Sequence, residues 1–388
     1  MSPPDGTTRP RRARALVTAL AVVSLAAGCG STSRGTPQWR SAAGPTGNQA
    51  VAGPSAAPSA GGAAARPGSI SLSATGDIVM GNAPGSLPPA DGEDFFAGVR
   101  KALAADLVMG NLEEPLTDDT GRRKCGAASS GCHQFRAPPS YARHLKDAGF
   151  ELMNQANNHG NDYGAEGYRN TQRVLEAVGL KHTGAPGEIT VVDVEGIRVG
   201  VVGFSSYPWN NSLIDIPAAK RLIAKATEKA DLVVVQVHMG GEGADKTRVT
   251  PGTEIFLGEN RGDPIAFAHA VIDAGADLVI GHGPHVLRAM EFYKKRLIAY
   301  SMGNFAGGGG TLSRNGNLGL GGVLKVSLTG DGEFVGGQLI STAMNAAGKP
   351  VTDPAARAAS LVKSLSGKDF PTTGARLDTD GKISAPGS

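Results

Sequence analysis

The 388 residues hold 38 Lys and Arg against 35 Asp and Glu, enough chain for one large or two ordinary domains. The formal charge of +3 comes wholly from Arg9, Arg11, Arg12 and Arg14 set against Asp5. The rest of the chain is neutral and offers no footprint for nucleic acid, which is set aside as a partner.

In chain order, residues 1–28 have an arginine-rich start, an apolar run from Ala15 to Leu25, and then Ala26-Ala27-Gly28-Cys29, the layout of a secretory signal. The small residues before Cys29 resemble the bacterial lipobox, in which that cysteine is lipidated, with Ala26 where the pattern prefers leucine. An ordinary cleaved signal, or an uncleaved anchor beside an incidental cysteine, is the alternative. The apolar run is short for a membrane span, whereas two or more acyl chains hold a protein stably at a membrane surface. Residues 29–68, rich in Ser, Ala, Gly and Pro, cannot offset their own ordering entropy and predict a tether.

From Ser69 the pattern changes. Ile70 to Ala74 alternates as a strand and runs into Gly76-Asp77; Phe95, Phe96, Val99 and Leu103 have helical spacing. Asp106 to Met109 predicts a strand leading to Asn111 and Glu113. Cys125 and Cys132 share a small-residue loop, most simply as a disulfide outside the cytoplasm, with a metal role beside His133 as the alternative. A helix from Pro138 closes at Gly149, and Phe150 to Met153 leads to Asn157-Asn158-His159. A second helix ends at Gly179. Ile189 to Phe204 predicts a hairpin turning at Glu195-Gly196. A helix near Ala218–Lys229 precedes the strand Leu232–Val237, which ends in His238. Residues 243–262 are polar and irregular. Asp263-Pro264 opens the next helix in the favoured cap-then-proline order, and Leu278-Val279-Ile280 is a buried strand ending in Gly281-His282-Gly283-Pro284-His285. Arg296–Tyr300 and Gly322–Leu328 predict further strands. Past Lys349 the composition turns polar, and the last twenty residues predict loose order. The alternation predicts a layered α/β domain over 69–345, with a sheet not purely parallel and a polar C-terminal extension over 346–388.

Five strand ends thus carry, in order, Asp77; Asn111 with Glu113; Asn158 with His159; His238; and His282 with His285. Singly, each has a structural reading: Asp77 as a turn cap, Asn157-Asn158 as a turn, Glu113-Glu114 as a solvated pair, His238 as a hydrogen-bonded strand end. Of the remaining histidines, His269 reads as core, and His144 and His182 as surface. In an α/β sheet, ligands gather beyond the carboxyl ends of strands, and five signals sharing that position point to one metal site. Imidazole with carboxylate suits zinc, manganese or iron, as one or two ions.

Seven stretches carry a family resemblance: GDIVMG from Gly76, NLEEPLT from Asn111, FRAP from Phe135, Asn157-Asn158-His159 with Asp162-Tyr163-Gly164, HMGGE from His238, GHGPHVL from Gly281, and YSMGNF from Tyr300. Together, and in that order, they resemble the CapA family of capsule and poly-γ-glutamate synthesis proteins, within the calcineurin-like metallophosphoesterase superfamily. The resemblance implies a four-layer αββα sandwich with metals at the sheet edge. By motif, Asp77 and His285 would hold one metal, Asn158, His238 and His282 a second, with Glu113 or Asn111 near the bridging position. His159 would stay unligated and serve the leaving oxygen, while Glu242 and Asn304 would line the substrate. Val79 stands where the superfamily's Asp-x-His motif has histidine, so the first metal loses a ligand. The resemblance therefore leaves three readings: a metal-dependent phosphoesterase-like hydrolase, lipid-anchored at the extracytoplasmic face, a surface lipoprotein whose metal site is only structural, or a non-catalytic metal-binding accessory. The accessory would serve a membrane synthase handling poly-γ-glutamate or a similar polyanion.

Overall fold

The computed structural model describes residues 68–126 and 131–387; the expected signal segment, Cys29 and all but the last residue of the expected tether lie outside them. The apolar runs become the strands of two mixed sheets. In the first, Ile70–Val79, Leu107–Leu112, Leu152–Asn154 and Lys181–Thr183 run parallel side by side. Leu320–Leu328 joins the other edge of Ile70–Val79 antiparallel and pairs with Phe334–Met344. In the second, Ile197–Ser205, Leu232–His238, Leu278–His282 and Arg296–Ala299 are parallel, with antiparallel Thr190–Val194 and Met290–Tyr293 at the edges. The expected hairpin is there, and its turn residues Glu195 and Gly196 both adopt positive φ, as a two-residue hairpin turn requires.

Alternation decides which side chains face which layer. Leu72, Ala74, Leu107, Met109 and Leu152 of the first sheet meet Val199, Val201, Leu232, Val234 and Ile280 of the second in one core between the sheets. On the outer face of the first sheet, Val108 and Met153 pack under Leu145 of the helix Ala142–Ala148 and Leu175 of Gly164–Ala177. On the outer face of the second, Val233, Val235 and Val279 pack under Ile223 of Ile216–Thr227 and Phe267 of Pro264–Asp273. Helix, sheet, sheet, helix is the four-layer αββα sandwich expected. Each such fully buried aliphatic side chain contributes roughly 1.5–3 kcal/mol.

Helix ends follow local chemistry. Asp263 accepts a hydrogen bond from Ala266 N–H at 3.0 Å ahead of Pro264, and Gly149 takes the left-handed conformation at φ 100°.

Two expectations fail. Phe95, Phe96 and Val99 are buried but sit in turns, and the helix is only Arg100–Leu103; Ala90, Asp91 and Asp94 all have positive φ, which breaks the helical path. The C-terminal stretch is ordered structure. Ala358, Ala359 and Val362 of the helix Arg357–Asp369 enter the core between the sheets, and Arg376–Leu377 and Lys382–Ser384 extend the first sheet. Among the described residues, no helix is long and apolar enough to cross a membrane.

Both sheets end their parallel strands at one edge. Asp77, Asn111 and Asn154 are in register across the first sheet, as are His238 and His282 across the second. The pairing of Ile70–Val79 slips on either side of Asp77, a bulge of the kind that re-aims a side chain beside a functional site.

Candidate metal centre

Asp77 is fully buried. Its backbone N–H donates to Gly303 O at 2.9 Å; that approach needs glycine at 76, where a Cβ would stand 1.9 Å from the same oxygen. Asp77 Oδ1 accepts from Asn111 Nδ2 at 2.8 Å. Asn111 Oδ1 in turn accepts from Asn154 Nδ2 at 2.9 Å and Asn157 Nδ2 at 3.2 Å. Both ends of the Asn111 amide are occupied, so it orients Asp77 and has no free lone pair for an ion.

Glu113 lies just past Leu107–Leu112, fully buried, and neither carboxylate oxygen has a hydrogen-bond partner. Asn158 Oδ1 is likewise without a partner, and Asp77 Oδ2 has only the imidazole of His285. His285 faces both acids: Nδ1 lies 3.3 Å from Asp77 Oδ2, and Nε2 lies 3.7 Å from Glu113 Oε1 and 3.7 Å from Glu242 Oε2. His285 adopts φ 60°, a strained conformation for a side-chain-bearing residue that persists where the surroundings enforce it. Asn304 Oδ1, 2.8 Å from Nδ1, is part of that enforcement; its Nδ2 donates to Leu318 O at 3.0 Å. His282 Nε2 contacts Gln236 Oε1 at 3.1 Å, and its Nδ1, without a partner, faces Asp77 Oδ1 at 3.8 Å. Asp77, Glu113 and His285 offer ligand atoms within 4.8 Å of one another. Buried acceptors ordinarily find donors; the two unpartnered oxygens of Glu113, beside Asp77 and His285 and with the free Nδ1 of His282 facing Asp77, fit a divalent cation of the mixed oxygen–imidazole kind.

A second pole adjoins the first. Asn158 Nδ2 donates to Glu242 Oε1 at 3.3 Å. His238 Nε2 lies 3.8 Å from Glu113 Oε1 and 3.1 Å from Nη2 of Arg261, a residue only 1% exposed. His159 is held differently: Nδ1 meets Asp162 Oδ2 at 2.6 Å, and the same oxygen accepts from Phe135 N–H at 2.8 Å. Lys124 Nζ approaches Asp162 Oδ1 at 3.3 Å, and the Phe135 ring stands 4.4 Å from the imidazole. Lys124 and Phe135 flank the two cysteines, which form the expected disulfide at 2.02 Å. His159, Glu242, His285 and Asn304 line a cavity of about 310 Å³. A neighbouring one of about 270 Å³ is walled by Arg122, Arg123, Lys124 and Trp209.

Burial and charge set the protonation states. Burial, with Asp77 and Glu242 adding to it, pushes Glu113 well above the usual carboxylate range. For Asp77, burial is outweighed by His285, His282 and Asn111, which hold its carboxyl below the ordinary value. Burial drives His282 down to about 4. It would lower His285 too, but Glu113, Asp77 and Glu242 take that imidazole up to about 10. His159 is lowered by burial despite Asp162. His238 is lowered by burial and then by Arg261.

Every strand-end residue singled out in the sequence lies at this one edge. Val79, in the place of the absent histidine, packs with Phe135, Leu312 and Met344, so hydrocarbon fills that ligand's position. His269, expected in the core, is partly exposed, stacked on Tyr293 and paired with Glu291 at 2.9 Å. Sequence reasoning missed Arg261, which the short hairpin of Ile255–Phe256 and Glu259–Asn260 delivers from the irregular stretch, and the roles of Asp162, Asn154 and Asn157. Asp162 carried a signal in its spacing of three from His159; Arg261 carried none.

The family model for the bacterial capsule synthesis protein PGA_cap matches residues 71–308, which span the whole cluster from Asp77 to Asn304. The chain is 34% identical over 261 residues to the capsule biosynthesis protein CapA of Bacillus anthracis, covering 61% of this chain and 59% of that one. It is 31% identical over 255 residues to the PGA biosynthesis protein CapA of Bacillus subtilis (strain 168), covering 61% and 63%. It thus spans about three-fifths of the length of these curated relatives. Among solved structures, a 5′-nucleotidase precursor from Thermus thermophilus aligns with a TM-score of 0.39 at 15% identity, over 78% of this chain and 59% of that one.

Proposed function

The chain belongs to the bacterial capsule synthesis protein family PGA_cap, and from that premise we propose a metal-dependent, phosphoesterase-like hydrolase acting in capsule or poly-γ-glutamate synthesis or export. The observation that carries the chemistry is the buried group of Asp77, Glu113 and His285, with both oxygens of Glu113 unpartnered and the free nitrogen of His282 facing Asp77. Asp77, Glu113 and His285 would hold the ion, with His282 and Asn158 beside them. A divalent ion there supplies Lewis acidity toward a phosphoryl oxygen and eases deprotonation of water.

The chain's own residues supply the rest. His159, neutral and tied through Nδ1 to Asp162, presents Nε2 to take a proton and return it to a leaving oxygen, the work of a positioned acid–base group. Asn158 sits between the acids and the cavity walled by Arg122, Arg123 and Lys124, so an anionic substrate, a phosphoester or a carboxylate polymer, meets positive charge on its way in. Glu242 and Asn304 line the cavity with His159 and bound the substrate position. Cys29 would be lipidated and become the first residue of the mature chain, and residues 29–68 would hold the domain off the extracytoplasmic face, within reach of a membrane synthase. A second reading, a non-catalytic metal-binding accessory holding the polymer, is favoured by Val79 in place of a ligand.

The test loads the purified full-length chain with manganese or zinc, measures bound metal, and follows hydrolysis of an activated phosphodiester. Turnover that disappears in His159→Ala while metal stays bound supports the hydrolase. Metal binding without turnover, together with affinity for poly-γ-glutamate, supports the accessory. The anchor is read separately: Cys29→Ala should release the protein from the membrane fraction.

A further inference from the structure

We propose that the guanidinium of Arg261 stands in for a second metal ion, so that the cluster takes one divalent cation and uses a fixed arginine as its other positive charge. This rests on the metal reading above and deepens it.

The argument begins with His238. A guanidinium has only donors, so Nη2 at 3.1 Å from His238 Nε2 uses the lone pair of that nitrogen. A neutral imidazole with its lone pair on Nε2 carries its proton on Nδ1 and has nothing left to give a metal. The same Nη2 lies 2.8 Å from Glu242 Oε1, so it also takes the carboxylate that reaches toward Asn158. Of the groups expected around a second ion, His238 is thus committed to Arg261, and Oε1 of Glu242, which lines the adjoining cavity, is drawn to the same guanidinium.

Arg261 is also built in. Its backbone N–H donates to Glu254 O at 2.9 Å, and its carbonyl accepts from Gly240 N–H at 2.9 Å, one residue past Met239. Nη1 contacts Tyr207 Oη at 3.1 Å, and the guanidinium carbon lies 5.7 Å and 5.8 Å from the ring centres of Tyr207 and Phe256. The hairpin and two aromatic rings therefore aim the charge, and a planar fork so held loses little freedom in making its contacts. Charge balance agrees. Once an ion displaces the proton of Glu113, then Asp77, Glu113, Glu242 and the Glu259 carboxylate 3.6 Å from Nη1 carry four negative charges; one divalent ion and the guanidinium offset three of them, whereas a second divalent ion would leave the cluster in positive excess and press against Arg261.

The test counts ions. The metal-stripped full-length chain is reloaded with manganese and desalted, and manganese per chain is measured together with the electron paramagnetic resonance spectrum. One uncoupled ion is expected in the native protein, and a second, spin-coupled to the first, in Arg261→Met, which keeps length and loses charge. His238→Gln should keep the single ion with affinity close to native. Two ions in the native protein, or one ion in a folded Arg261→Met, overturns the proposal. Should Arg261→Met fail to fold, His238→Gln decides: a loss of manganese affinity beyond the roughly 100-fold that an outer-shell partner can cost would mark His238 as a ligand and overturn the proposal, and a smaller loss would support it. No ion at all removes the metal reading of the site, a result distinct from two.

Discussion

Glu113→Gln should stabilise the metal-free protein and abolish its response to metal. Glu113 is fully buried with both oxygens unpartnered, and Asp77 and Glu242 add to the cost of ionising it. A buried polar group without a partner costs ~1–3 kcal/mol, more when charged. Glutamine keeps the shape, cannot ionise, and offers an amide donor toward Asp77. A net gain of ~1–2 kcal/mol is expected, which at about 2–4 °C per kcal/mol for a large domain raises the apo melting temperature by roughly 2–8 °C. The folded pKa of Glu113 lies above its unfolded value, so stability is intact below about pH 4.3 and is lost as pH rises toward the folded pKa. The advantage of the variant should therefore grow with pH. With manganese at about 100 times its dissociation constant the native protein gains ~2.7 kcal/mol, whereas the variant, short of a charged ligand, gains little. Calorimetry of chelator-stripped and reloaded protein across pH reads both effects. A variant that melts lower than native without metal, or that gains as much from manganese, refutes the reasoning.

Three further outcomes follow from named contacts. Asp162→Asn removes the charge that faces His159 Nδ1 and Lys124 and should lower turnover by ~10²–10⁴ with metal content unchanged; unchanged turnover in the loaded variant would unseat His159 as the proton carrier. Replacing Cys125 and Cys132 with serine opens a loop of separation 7 and should cost ~2.5 kcal/mol by loop-closure entropy, together with looser support for Asp162. Equal melting temperatures of native protein and variant would contradict this. His182 is gripped by Glu176 at 3.1 Å and Glu188 at 3.0 Å, and its pKa is raised even though burial opposes the shift. Its contribution is complete below about pH 6.5 and fades as pH rises through the folded value, so native protein and His182→Gln should converge in stability from pH 6 to pH 9. A gap that widens over that range counts against the pairing.

The fold was legible wherever a regular element imposed a period. Leu232–His238 and Leu278–His282 read as buried strands because nearly every side chain in them is apolar, and their register then brings His238 and His282 side by side. The C-terminal helix was hidden because Arg357, Lys363 and Lys368 dilute a narrow buried stripe of Ala358, Ala359 and Val362. The spacing of Phe95, Phe96 and Val99 describes burial, and turns satisfied it as well as a helix could.

The same distinction governs the site. Strand ends announced the candidate ligands because the two sheets deliver them to one edge. Asn111 looked like a ligand for that reason, yet its amide is consumed in orienting Asp77, and only contacts, not position, separate a ligand from a group that aims one. Arg261 is the converse case: a two-residue hairpin delivers it, no period marks it, and its polar neighbours made the stretch look solvated. Two buried carboxylates and the half-buried Glu242 beside them nonetheless require positive charge within reach, since unpaired buried anions are costly. Any sequence that supplies Asp77, Glu113 and Glu242 at such an edge must also supply cations there. On the proposal above, the buried guanidinium of Arg261 would meet part of that demand.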